Sequence, residues 1–242
     1  MNQIGLYALF SILIFRYCFK SNERFYRNFI LGLFLPNLLN SFSAIVSLFI
    51  PSSTFSVDNY NATFSHSIFV GLFIFLIFYL ISNLKKNYHY KTLGNALFLG
   101  FLFHVLCDMV FWLDSLYIFW PITDSDLKIN LLNLILHINL EDQKIWTSLR
   151  FVLEFFFLRF YIQLLIEILI INNSEAQTIQ IASLYQKIQL NLFFLFLILF
   201  FVFYYMNIDN LNLLFILFNI VYFPSLLYTL FITYKSKVDF SR

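Results

Sequence analysis

The sequence predicts an all-α protein: a polytopic transmembrane helical bundle of about seven spans, N-terminus out and C-terminus in. Three observations carry that expectation. Only 12% of the 242 residues are charged while 61% are hydrophobic, whereas a water-soluble domain carries about 25% charged residues. Seven apolar runs approach the ~20 residues that cross a bilayer as helix. The connections between the runs alternate in charge, as the bias of Lys and Arg towards the inner face requires.

The runs fall at 4–17, 28–50, 66–83, 93–113, 146–171, 188–206 and 211–234. The first is short, and the second contains Pro36. Arg16, Lys20, Arg24 and Arg27 follow the first run, whereas residues 51–65 hold no Lys or Arg and carry Asp58. Lys85, Lys86 and Lys91 come next, followed by an acidic stretch with Asp114, Asp124, Asp126, Glu141 and Asp142 against Lys128 and Lys144. Lys187 lies in the fifth connection, Asp209 in the sixth, and Lys235, Lys237 and Arg242 close the chain. Two connections are long enough to hold interfacial structure. Residues 114–145 include "INLLNLILHINL", amphipathic but too short to span. Residues 174–187, "SEAQTIQIASLYQK", open with helix-start residues and predict a short inner-side helix. Neither an internal repeat nor a low-complexity linker divides the chain, so residues 1–242 read as a single integral membrane domain.

Phe alone contributes 35 residues, and Asn, Ile, Lys and Tyr are also abundant, a bias that resembles translation of an AT-rich genome. The net charge of +2 offers nothing for nucleic acid to bind; the expected partners are membrane lipids and other proteins in the membrane. Cys18 and Cys107 lie on different segments and form no metal or redox motif. The first run lacks a small-residue cleavage site and reads as a span rather than a cleaved signal. The expected location is a bacterial inner membrane or an organellar membrane. Two acceptor tripeptides, Asn61-Ala62-Thr63 and Asn172-Asn173-Ser174, matter only in a secretory route.

Ionisable groups within spans are costly in lipid, so they face the bundle interior and pair there. His104 and Asp108 lie in the fourth run, four residues apart and so on one helical face. Arg150, Glu154, Arg159 and Glu167 lie in the fifth, His66 opens the third, and Asn37 and Asn40 follow Pro36 in the second. The topology places His66, His104, Asp108, Arg150 and Glu154 at mid-depth or in the outer half, where they can share one outward-opening polar pocket. Each also has a plainer explanation. Arg150 and Glu154 can neutralise one another across one turn, Asn37 can satisfy backbone groups freed by the proline, and His104 with Asp108 can form a structural hydrogen bond.

The segments "LGLFLPNLLN" (31–40), "NATFSHSIF" (61–69), "LGFLFHVLCDMV" (99–110) and "FWPI" (119–122) come in an order that resembles the bacterial family of membrane-bound metal-dependent hydrolases, the LexA-regulon-linked inner-membrane type. That family shows an early Gly-His or Thr-His pair, then "LPD", "HRxxTHS", "GxxxHxxxD" and a short "xxP" element. The resemblance covers about half the chain, residues 1–122. It implies that His66, His104 and Asp108 are ligands of a divalent metal, zinc or manganese. The chain departs from the family with Asn37 for the aspartate of "LPD", Asn61 and Ala62 for the opening His-Arg, Ser65 for the threonine, and Leu6 where the early histidine belongs. Two imidazoles and a carboxylate suffice for one hydrolytic metal. The neutral amides Asn37 and Asn61 leave a second metal unsupported, so Asn37 and Glu154 are the residues left for a catalytic role beside the metal.

The resemblance therefore implies a hydrolase acting on a lipid-like ester or phosphoester at the outer membrane face. A catalytically degenerate relative without metal, serving as a structural or accessory subunit of a membrane complex, is the alternative. A transporter or channel would need polar groups along a path through the bilayer; Arg159 and Glu167 extend the polar set inward, but five glycines and no paired broken helices weigh against it.

Overall fold

The computed structural model describes residues 4–17, 23–47, 65–111, 118–119, 140–172, 175–205 and 211–236. All regular structure among them is helical: α1 (Ile4–Tyr17), α2 (Glu23–Ser47), α3 (Ile68–Lys85), α4 (Tyr88–Phe111), α5 (Leu140–Ile171), α6 (Ala176–Tyr205) and α7 (Leu211–Lys235). Four stretches are long and apolar enough to cross a membrane: Ile68–Lys85, Tyr88–Val110, Ala176–Tyr205 and Leu217–Lys235. The protein is thus helical with several candidate membrane spans, as its composition requires. Each expected apolar run overlaps a helix among the described residues, though the bounds differ. The separate inner-side helix expected at 174–187 does not exist, because α6 runs unbroken for 30 residues; no Gly or Pro interrupts it. Most of the expected interfacial segment 114–145 lies outside the described residues, as do Cys18, Asn61, Ala62 and residues 120–122 of the "FWPI" segment.

The chain divides into two compact units, one of residues 24–137 and the other of residues 3–23 with 138–242. In the first, α3 and α4 form a helical hairpin, since only two residues separate them. Lys86 takes the left-handed conformation (φ 48°, ψ 37°), Asn87 N–H donates to the Ser82 carbonyl at 3.1 Å, and the Asn87 side chain accepts from His89 N–H. One short polar turn thereby ends α3 and starts α4. Helix α2 lies against α4 at backbone contact: a Cβ on Gly32 would overlap the Leu97 carbonyl, and one on Gly100 would overlap the Phe29 carbonyl. Close approach of this kind is how helices associate in lipid, where apolar side chains gain little by leaving the acyl chains.

In the second unit, α5 and α6 run antiparallel. Phe155 stacks on Phe196, Phe156 contacts Phe193, and Gln163 meets Gln186. The Phe218 ring of α7 completes an aromatic core with Phe151, Phe155 and Phe196. Gly5 lets α1 approach the backbone of α5 at Glu154 and Leu158. Large apolar side chains face outward in both units, among them Phe73 and Leu80 on α3 and Phe194, Ile198 and Phe201 on α6. Faces of that composition suit acyl chains rather than water.

Candidate metal centre

His104 and Asp108 sit one turn apart on α4, and His66 is delivered from the turn that precedes α3. Both imidazoles converge on one carboxylate oxygen: His66 Nε2 lies 3.1 Å from Asp108 Oδ2, and His104 Nε2 lies 3.1 Å from the same atom. The three candidate ligand atoms lie within 4.8 Å of one another. The rings of His66 and His104 are 5.5 Å apart, centroid to centroid. In a tetrahedral zinc site with bonds near 2.0 Å, neighbouring ligand atoms are separated by about 3.3 Å, close to the two His–Asp spacings of 3.1 Å.

The far side of each ring fixes its tautomer. His104 Nδ1 lies 2.8 Å from the Leu33 carbonyl, which only accepts, so Nδ1 carries the proton. Ser65 gives its hydroxyl proton to Asn40 Oδ1 at 2.7 Å and sits 2.7 Å from His66 Nδ1, which therefore donates to it. In the neutral imidazoles both Nε2 atoms then present lone pairs towards the Asp108 carboxylate. Three acceptors facing one another repel unless a cation lies among them, and metal-bound histidines characteristically spend the other N–H on a carbonyl or hydroxyl. The donor set, two imidazoles and one carboxylate, could hold a divalent transition-metal ion.

Local sequence explains the geometry. Pro36 has no N–H for the Gly32 carbonyl and disturbs the α2 ladder at this turn; the next carbonyl, Leu33, receives His104. Gly100 lies one turn before His104 and holds α4 against α2 closely enough for that bond. Ser67 caps α3, its side chain accepting from Phe69 N–H at 3.3 Å. Ile68 N–H donates to the Ile118 carbonyl at 3.0 Å, which brings the 118–119 turn beside the His66 turn. Asn37 is buried on α2, one turn beyond Leu33 and one before Asn40, on the helix face that serves the two histidines.

Of the residues expected at the site, the structure gathers His66, His104 and Asp108, with Asn37 on the neighbouring turn. The three clustered side chains are 1%, 0% and 0% exposed, so the cluster is buried rather than open to one face. Glu154 belongs to the other unit. There its Oε1 accepts from Gly5 N–H at 2.8 Å and from the Tyr222 hydroxyl at 2.6 Å, so it satisfies a first-turn N–H of α1. Leu6 is half-buried on α1 in that same unit. Cys107, beside Asp108, is half-buried and is not one of the three clustered ligands. Sequence reading missed the supporting groups: Ser65 had been read only as a departure from the family threonine, and a backbone acceptor such as Leu33 has no signature in its side chain.

No protein-family model, curated protein or solved structure matches this chain.

Proposed function

We propose that this chain is a seven-span membrane protein, N-terminus out and C-terminus in, that holds one divalent ion at His66, His104 and Asp108. In this reading it hydrolyses a lipid-like ester or phosphoester at the outer face, as its resemblance to the membrane-bound metal-dependent hydrolases implies. The single observation that carries the metal site is the convergence of two imidazole lone pairs on one carboxylate oxygen, each ring backed by an acceptor at Nδ1. An ion bound there would supply a coordinated water of lowered pKa. Asp108 would offer the anionic ligand, His66 and His104 the neutral ones, and the buried Asn37 is the residue we assign to orienting a reacting group. Glu154 is given no part, because its Oε1 is engaged by Gly5 and Tyr222.

The complete burial of the cluster supports a second reading. Structural metal sites are closed, while catalytic ones keep a position open. A degenerate relative would use the ion, or a proton shared among the three groups, only to tie the His66 turn to α4.

Metal analysis after mild purification separates these ideas. About one equivalent of zinc or manganese in the wild type, lost in His104→Ala, supports the metal site. Equal, near-zero metal in both leaves the proton-bridged reading. Hydrolysis of a vesicle-embedded ester that depends on both metal and His66 selects the enzyme, and a metal-loaded protein without turnover selects the structural site.

A further inference from the structure

The second unit holds a polar seam that the metal centre does not use. On α7 the buried residues Asn219, Tyr222, Ser225, Thr229 and Thr233, with Ser236 just past its end, recur every three or four positions, one stripe along one face. From Asn219 to Ser236 the stripe rises about 25 Å at 1.5 Å per residue, against a hydrocarbon core of about 30 Å. Thr229, Thr233 and Ser236 give their hydroxyl protons to carbonyls three or four residues earlier, those of Ser225, Thr229 and Thr233, and the packed helices supply further partners. Tyr161 on α5 meets the Thr233 hydroxyl at 3.0 Å. Tyr185 on α6 meets the Ser225 and Thr229 hydroxyls at 2.8 and 3.1 Å. Gln189 donates to Ser225 Oγ at 2.6 Å, and Tyr222 donates to Glu154.

Adhesion between helices in lipid needs only a few hydrogen bonds between small or polar side chains. It does not need a carboxylate, which is among the costliest groups to bury there. Glu154 is 1% exposed, and its Oε2 has no hydrogen-bond partner among the described residues; neither does the fully buried Gln189 Oε1. Two unmet acceptors thus lie along a ladder of hydroxyls whose steps are about one helical turn, the span that a bridging water would have to cover.

We propose that this seam is a proton path through the second unit, with Glu154 as its protonatable stop. A proton enters at the Thr233–Ser236 end. Each hydroxyl or water takes one proton and passes one on, so none is consumed. The Glu154 carboxylate accepts the proton to become a neutral acid and returns to carboxylate on releasing it at the Asn219 end. The groups around Glu154 suit that role. Tyr222 faces it from α7, Arg150 lies one turn earlier on α5, and α1 presents the Gly5 N–H. The charged side chain of α1, Arg16, lies 3.9 Å from Glu167 instead, and Lys187, the charged residue of α6, is exposed.

The test is proton flux into phosphatidylcholine vesicles carrying the purified protein, a trapped pH-sensitive dye and a potassium-diffusion potential. The wild type is expected to acidify the lumen faster than protein-free vesicles. Glu154→Gln, which keeps an oxygen acceptor for Gly5 and Tyr222, should fall to the protein-free rate, and His89→Ala, at the exposed hairpin turn, should not. Should E154Q fail to fold, a hydrophobic carbodiimide applied to the wild type should block flux, with the adduct mapping to Glu154. A wild-type rate equal to the blank, full flux in folded E154Q, or full flux with Glu154 modified would each overturn the proposal and leave the seam as glue.

Discussion

At the scale of single residues, the candidate metal centre is built as much from the groups behind the imidazoles as from the three clustered side chains. Ser65→Ala removes the acceptor for His66 Nδ1 without touching a ligand atom. Loss of such a supporting partner weakens metal binding by roughly 10–100-fold, which chelator competition on the purified protein would measure. Unchanged affinity would mean that the serine does not orient the ring. Glu154 differs in that it bridges elements. Truncating it to Ala strips the Gly5 N–H and the Tyr222 hydroxyl of their acceptor, at a cost of about 1–3 kcal/mol for each buried group left unmet. The midpoint of thermal unfolding in detergent should fall clearly. The Arg16–Glu167 pair makes a control, since its side chains are 34% and 45% exposed and 3.9 Å apart. Such pairs contribute about 0–1 kcal/mol, so Arg16→Ala should leave the midpoint nearly unchanged.

At the scale of elements, the packing of α2 on α4 controls whether His104 reaches Leu33. A methyl on Gly100 meets the backbone of Phe29 and Leu33, which cannot rotate away, so the helices must separate. A methyl on Gly71 of α3 meets the side of the buried Phe101 ring, 2.6 Å from Cδ1 and 3.1 Å from Cγ, a side chain that has to shift rather than a backbone. Gly71→Ala should therefore cost about 1–3 kcal/mol, the usual range for overpacking, while Gly100→Ala costs more and also releases metal. A Gly100→Ala protein with full metal and wild-type stability would contradict the packing described here. The α3–α4 hairpin rests on local chemistry instead. The left-handed Lys86 and the Asn87 side chain make its turn, and Lys86→Gly should be tolerated, because glycine adopts that conformation readily.

At the scale of the whole molecule, the two units divide the polar chemistry. One holds the His/His/Asp cluster on α4 and the turn before α3; the other holds the hydroxyl and amide seam of α5, α6 and α7. The proposed orientation predicts that single cysteines placed in the Lys85–Lys91 connection react with impermeant maleimide only after the membrane is opened. Cysteines at Asp58 should react in intact cells or right-side-out vesicles. The reverse pattern would invert the topology.

Residue types and their order along the chain were enough to indicate a helical protein with candidate membrane spans, as the described residues show, because apolar runs of spanning length and a shortage of charge leave few other ways to satisfy the backbone in lipid. They also singled out His66, His104 and Asp108, since ionisable groups in such runs need one another. Helix ends were less legible: α6 absorbs the segment expected to stand alone, because continuing a helix costs less than starting a second one where no Gly or Pro breaks it. Only the tertiary structure decided that both imidazoles meet the same carboxylate oxygen, that Leu33 and Ser65 set their tautomers, and that Glu154 serves α1 and Tyr222. Those contacts join residues up to 149 positions apart in the chain. Contacts of that kind depend on how closely helices approach and on which backbone carbonyls are free, neither of which is written in the spacing of side chains.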